Sequence, residues 1–201
     1  MASRRALTGG TGDVNPQFIS WEVTETSTDA TTTISLAVPI QRMSQGGGRA
    51  QVLEVLAVKY DASTVGGSNG TETSHRYLNE RNWLSGTTVT QSVASIQVAI
   101  STRSFGTTQA KYSDPTVFSM YAAARYGAFT AGGSYAIFIQ EPYVDDLTDG
   151  AGHGFLVATD NIYIQISSAS TNAAQLCRGK IYYRWKNVGL QEYIGIVQGQ
   201  Q

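Results

Sequence analysis

The chain has 201 residues, of which 41% are hydrophobic and only 14% charged; 14 basic against 15 acidic side chains leave a net charge of −1. These figures exclude a disordered segment, a helical bundle, and a protein whose overall charge alone draws it to nucleic acid or membrane surfaces. No apolar run approaches the roughly 20 residues that span a bilayer, no apolar stretch follows Arg4 and Arg5 to make a signal peptide, and the single Cys177 fits a reducing compartment.

Along the chain the apolar residues recur with a period of two. Ile19, Trp21 and Val23 alternate with polar neighbours, and after a polar corner at 26–30 so do Ile34, Leu36 and Val38. Segment 51–60 is apolar on both faces and reads as an interior strand. Residues 93–101 alternate through Ile96, Val98 and Ile100. Segment 134–140 reads as a buried strand ending at Glu141-Pro142, and 155–158 as a short one. Ile162, Ile164 and Ile166 mark the next strand. The last, 176–188, carries Ile181, Tyr183 and Trp185 on one side and Arg178, Lys180, Tyr182, Arg184 and Lys186 on the other. Long connections lie at 39–50, which holds Gly46, Gly47 and Gly48, at 61–92 and at 102–133. Within the last of these, 117–126 has helical composition behind Asp114-Pro115 and predicts a short helix.

Eight strands with two long excursions predict an all-β, antiparallel jelly roll, two four-stranded sheets face to face, with long loops and a short helix. The division is an N-terminal arm at 1–15, the jelly-roll domain at 16–187 and a C-terminal tail at 188–201.

Four groups of residues are candidates for function. In an extended strand Arg178, Lys180, Arg184 and Lys186 share one face. That stripe is either a nucleic-acid track, with Tyr182 stacking on a base and Arg4 and Arg5 adding charge, or a set of cross-strand partners for Glu22 and Glu54. In a jelly roll the last strand lies between the first and the third, which is where those glutamates sit. Asp145, Asp146 and Asp149 are a candidate calcium site or a plain Asp-Gly turn. Trp83, Tyr121 and Tyr126 are candidate interface anchors, with local packing as the alternative. Leu190, Tyr193, Ile194, Ile196 and Val197 make the tail too apolar for a solvated terminus, so it is expected to lie across a neighbouring subunit or to fold back on its own domain. Cys177 reads as a small core hydrophobe. His75 and His153 stand far apart and form no zinc or Cys–His constellation. No catalytic motif, phosphate loop or cofactor signature is present, so neither an enzyme nor a cofactor is expected.

The C-terminal run from Lys180-Ile181-Tyr182-Tyr183-Arg184-Trp185 through Leu190, Tyr193 and Ile196 to Gln200 resembles the last strand and tail of single jelly-roll capsid proteins of small circular single-stranded DNA viruses, the circovirus-like group. The eight-strand layout and the insertion between the third and fourth strands agree with it. The resemblance implies a virion protein that self-assembles with about sixty copies of itself in T=1 icosahedral symmetry. It also implies a packaged single-stranded DNA genome, held weakly here, a host receptor, no membrane, and assembly in the host cytoplasm or nucleus. Many such proteins open with a long Arg-rich arm; this chain has only Arg4 and Arg5 at that place. The rival readings are a jelly-roll carbohydrate-binding module or trimeric adhesin head, and a cupin-like enzyme, which needs a histidine cluster.

Overall fold

A computed structural model describes residues 17–38, 49–64, 77–78, 92–127, 138–139, 143–171 and 174–200. The strands are β1 (Gln17–Thr24), β2 (Thr32–Ala37), β3 (Arg49–Thr64), β4 (Tyr77–Leu78), β5 (Ser92–Ser101), β6 (Val117–Gly127), β7 (Phe138–Ile139), β8 (Tyr143–Asp146), β9 (Phe155–Val157), β10 (Asn161–Ala169) and β11 (Gln175–Gly189). Among the described residues there is one helix, α1 (Leu190–Gly199), which follows β11.

The strands form two antiparallel sheets. One has the order β1-β11-β3, with β8 and β9 both paired to the far edge of β3; the other has the order β2-β10-β5-β6. The first strand thus lies beside the last, and the chain passes repeatedly from one sheet to the other. This is the jelly roll the alternating pattern predicts. Strands β4 and β7 make a separate two-residue pair.

The inward positions are those the period of two selects, with one-residue shifts at Leu56 and Phe118. Trp21, Val23, Val55, Val58, Tyr60, Cys177, Ile181 and Tyr183 from one sheet meet Ile96, Val98, Ile100, Phe118, Tyr121, Ile162, Ile164 and Ile166 from the other, all buried. Each such aliphatic or aromatic side chain stabilises the sandwich by about 1.5–3 kcal/mol. Cys177 is a core side chain, and burial pushes its thiol pKa well above the ordinary range.

Two of the sequence-based elements are corrected. Residues 117–127 form strand β6, not a helix: they pair along β5 from Val117↔Ser101 to Gly127↔Ser92. Burial of Phe118 and Tyr121 against the opposite sheet overrides the helical preference of the Ala122–Ala124 run. Asp114 makes a turn there, its carboxylate accepting from the Thr116 N–H at 3.0 Å. Of the expected strand 134–140, the described part is Phe138–Ile139, paired with β4 and not with a main sheet. The fourth place in the first sheet is filled by β8 and β9.

Strand β3 carries a bulge. Its pairing with β11 shifts between Tyr182↔Ala57 and Tyr183↔Val55, which leaves Leu56 as the extra residue. The bulge reverses which positions face outward. Before it these are Ala50, Val52 and Glu54; after it they are Ala57, Lys59 and Asp61.

At the corner between β1 and β2, Glu25 is 3% exposed. Its Oε2 accepts from Ser168 Oγ at 2.9 Å and from the Gln175 N–H at 2.8 Å, while Oε1 is buried with no hydrogen-bond partner among the described residues. Burial, with the Asp29 carboxylate adding to it, raises the Glu25 pKa despite those hydrogen bonds. A raised folded pKa means that the associated stability is present at low pH and is lost as pH rises through that pKa. Glu25→Gln is therefore expected to gain stability relative to the wild type as pH rises from about 4 to about 7. Thermal unfolding at the two pH values checks this; a variant that loses ground as pH rises would contradict it.

Candidate functional site

The outer face of the β1-β11-β3 sheet is built as rungs across the three strands, about 6–7 Å apart. The first rung is Glu22–Arg178–Asp61, the second Ser20–Lys180–Lys59 and the third Phe18–Tyr182–Ala57. Beyond the bulge come Arg184 opposite Glu54 and Lys186 opposite Val52. The four cations of the sequence stripe do share this face, but three of them have carboxylate partners, two of these on the one carboxylate of Glu54. Arg178 Nε donates to Glu22 Oε2 at 2.6 Å, Arg184 Nε to Glu54 Oε2 at 2.5 Å, and Lys186 Nζ to Glu54 Oε1 at 3.3 Å. These are the cross-strand partners the sequence placed opposite the stripe.

Glu54 has no exposed surface and also accepts from the Gly154 N–H at 3.1 Å. Burial alone would raise its carboxyl pKa; the hydrogen bonds from Arg184, Gly154 and Lys186 outweigh it and hold the pKa below the usual glutamate value.

Lys180 differs from the other three. Its ammonium lies 4.3 Å from the centre of the Phe18 ring, and it has no carboxylate partner among the described residues. Phe18 stands 6.2 Å from Tyr182 and is 55% exposed. A recess of about 470 Å³ opens beside them, lined by Ser20, Glu22, Lys59, Asp61, Arg178 and Lys180. Neither Phe18 nor Lys59 was singled out in the sequence. Phe18 lies one residue before the first clear alternation, and Lys59 sits in a run that reads as apolar on both faces.

The three aspartates go to separate tasks. Tyr60 donates to Ser119 Oγ at 2.5 Å, and Ser119 donates to Asp145 at 2.6 Å, a chain that runs into the core. Asp146 accepts from the Thr148 N–H and hydroxyl, and Asp149 from the N–H groups of Ala151 and His153. Those bonds, from His153 first, pull the Asp149 pKa down to about 2. Asp146 and Asp149 are thus turn residues, and among the described residues no three acidic, histidine or cysteine side chains converge on one point.

Tyr121 is corrected from interface anchor to core residue. It is 7% exposed and its ring stacks 5.7 Å from that of Tyr60, because strand alternation in β6 turns it inward. Arg4, Arg5, Trp83 and the side chain of Tyr126 lie outside the described residues.

The tail forms helix α1, entered at Gly189. Tyr193, Ile196 and Val197 pack on Ala50, Val52, Ala158 and Val188 of their own domain, so for these three the expected contact with a neighbour is replaced by a contact within the subunit. Gln200 fastens the end: its side-chain amide donates to the Leu156 carbonyl and accepts from the Ala158 N–H, and its main-chain carbonyl accepts from Thr102 Oγ1 at 3.2 Å. Leu190 and Ile194, one turn apart on the adjoining edge of the helix, stay 46% and 47% exposed. The spacing 193, 196, 197 is the helical signal that could have revealed this element.

No protein-family model matches the chain, and no curated protein matches it. Among solved structures it is similar to VP1 of Trichodysplasia spinulosa-associated polyomavirus in complex with GM1 oligosaccharide, at 10% identity over 90% of this chain and 96% of that one, with a TM-score of 0.49. Merkel cell polyomavirus VP1 in complex with disialyllactose matches at 12% identity over 90% and 98%, TM-score 0.48. Human polyomavirus 12 VP1 in complex with 3'-sialyllactosamine matches at 9% identity over 86% and 100%, TM-score 0.46.

Proposed function

We propose that this chain is a viral capsid protein. Copies assemble without catalysis into a closed icosahedral shell of about sixty subunits around a small single-stranded DNA genome, with a host receptor on the outside. The observation that carries this reading is the strand order, β1-β11-β3 with β8 and β9 facing β2-β10-β5-β6, an architecture that viral coat domains use repeatedly. The sparse charge and the exposed Leu190–Ile194 edge of α1 support it, because interface cores are poor in charge and rich in apolar side chains.

In this reading Leu190 and Ile194 are the part of the tail that touches a second copy. Purified protein is expected to give closed particles in size-exclusion chromatography and negative-stain microscopy. The double variant Leu190→Ser/Ile194→Ser is expected to change subunit stability by no more than about 0.5 kcal/mol and to give no particles. A wild-type chain that stays a monomer or trimer at every concentration would overturn the shell.

A second reading, a carbohydrate-binding jelly roll, is favoured by one observation, the Phe18–Tyr182 pair on an outer sheet face. Glycan binding by a chain that never forms particles would establish it.

A further inference from the structure

The rung Ser20–Lys180–Lys59 sets two lysines directly opposite each other on one face, with the Lys180 ammonium leaning over the Phe18 ring. Like charges in that position repel and destabilise a sheet. Every other stripe cation on this face has a glutamate; Lys59 and Lys180 have no carboxylate partner among the described residues. The next rung is aromatic, with Phe18 more than half exposed and Tyr182 beside it, and the recess of about 470 Å³ lies on the other side. Paired positive charge with a ring one rung away is what a strand of unpaired nucleotides requires: phosphates to neutralise the cations and a base to cover the ring. The single carboxylate of an acidic sugar would neutralise only one of the two lysines.

We propose that Lys59 and Lys180, with Phe18 and Tyr182, form a contact site for single-stranded nucleic acid. The phosphodiester lies between the two ammonium groups and a base stacks on the Phe18–Tyr182 rung. Arg178, Arg184 and Lys186 are held instead by the carboxylates of Glu22 and Glu54. The site deepens the capsid reading, since it names the surface that faces the enclosed genome, and it rests on that reading for its biological role.

The test uses the full chain and a fluorescently labelled eight-nucleotide oligo-dT, with binding followed by anisotropy across a salt series. The double variant Lys59→Gln/Lys180→Gln is expected to bind more weakly and to flatten the slope of log K against log salt by about 1.4, two contacts at about 0.7 each for a single strand. Its melting temperature is expected to equal or exceed that of the wild type, because the repulsion is gone. Phe18→Ala is expected to weaken binding about tenfold. Unchanged affinity and slope in the double variant would overturn the proposal, as would displacement of the oligonucleotide by sialyllactose, which would identify an acidic glycan as the occupant. Particles that package DNA while the double variant binds oligo-dT like the wild type would sink this site and leave the shell standing. Lysine-dependent oligo-dT binding by a chain that makes no particles would keep the site and sink the shell.

Discussion

Gly179→Ala is expected to destabilise the domain by about 3 kcal/mol, the upper end of what overpacking costs. Gly179 lies in β11 between Trp21 of β1 and Tyr60 of β3, its partners on either side. The two aromatic rings meet edge-on at 5.6 Å. A Cβ at this position would stand 2.1 Å from the Lys59 carbonyl oxygen and 2.3 Å from the Trp21 ring. A smaller side chain in place of the ring would relieve that contact, but the carbonyl belongs to the β3 backbone that β11 must pair with. Trp21→Leu is therefore expected not to rescue Gly179→Ala. Chemical denaturation of the single and double variants measures both effects, and full recovery in the double variant would show that the ring, and not the backbone, sets the limit.

Glu54→Ala is expected to cost about 3 kcal/mol near neutral pH, at the low end for breaking a buried ion pair, since Arg184 and Lys186 are partly exposed and can rehydrate. The carboxylate joins β3 to two cations of β11 and to the Gly154 N–H ahead of β9, so its loss loosens three strands at once. Its folded pKa lies below the unfolded value near 4.3. The stability it confers is present above that unfolded value and is lost as pH falls through the folded pKa. The gap between wild type and Glu54→Ala should thus narrow below about pH 4. A gap that stays constant from pH 7 to pH 3 would mean that lost packing, not lost charge, is what the variant measures.

Much of this structure is legible in the sequence where side-chain alternation alone decides. Trp21, Ile96, Ile164 and Ile181 fall on the core face because a period of two leaves no other choice, and the pairing of Glu22 with Arg178 and Glu54 with Arg184 follows from β11 lying between β1 and β3. The pattern fails where a long-range contact reverses a local preference. The Ala122–Ala124 run is helical by composition and becomes a strand only because β5 offers an edge and the opposite sheet offers burial for Phe118 and Tyr121. Helix α1 is less legible for the opposite reason: Gly195 lies inside it and lowers its local preference for a helix, which packing on β3 and β11 overrides.

The candidate site turns on the bulge at Leu56, which leaves no mark in composition. Without it the alternation from Leu53 and Val55 would carry Lys59 into the core; with it Lys59 stands beside Lys180. A stripe of four equivalent cations thereby resolves into three that have carboxylate partners and one, Lys180, that faces Lys59 of the neighbouring strand, a distinction that needs the partners of each charge and not the charges alone.

The pairing of β1 with β11 also sets the order of events during synthesis. Gln17 pairs with Tyr183 and Thr24 with Leu176, so the edge presented by β1 stays open until nearly the whole described chain has left the ribosome. At about 5–20 residues per second that interval is on the order of ten to thirty seconds. Throughout it, Trp21 and Val23 have no sheet to enter, and a second nascent chain bearing β11 offers the same edge as the chain's own. Dense expression on one messenger therefore favours strand exchange between copies, and slowing translation after β10 should shift the yield towards entangled dimers.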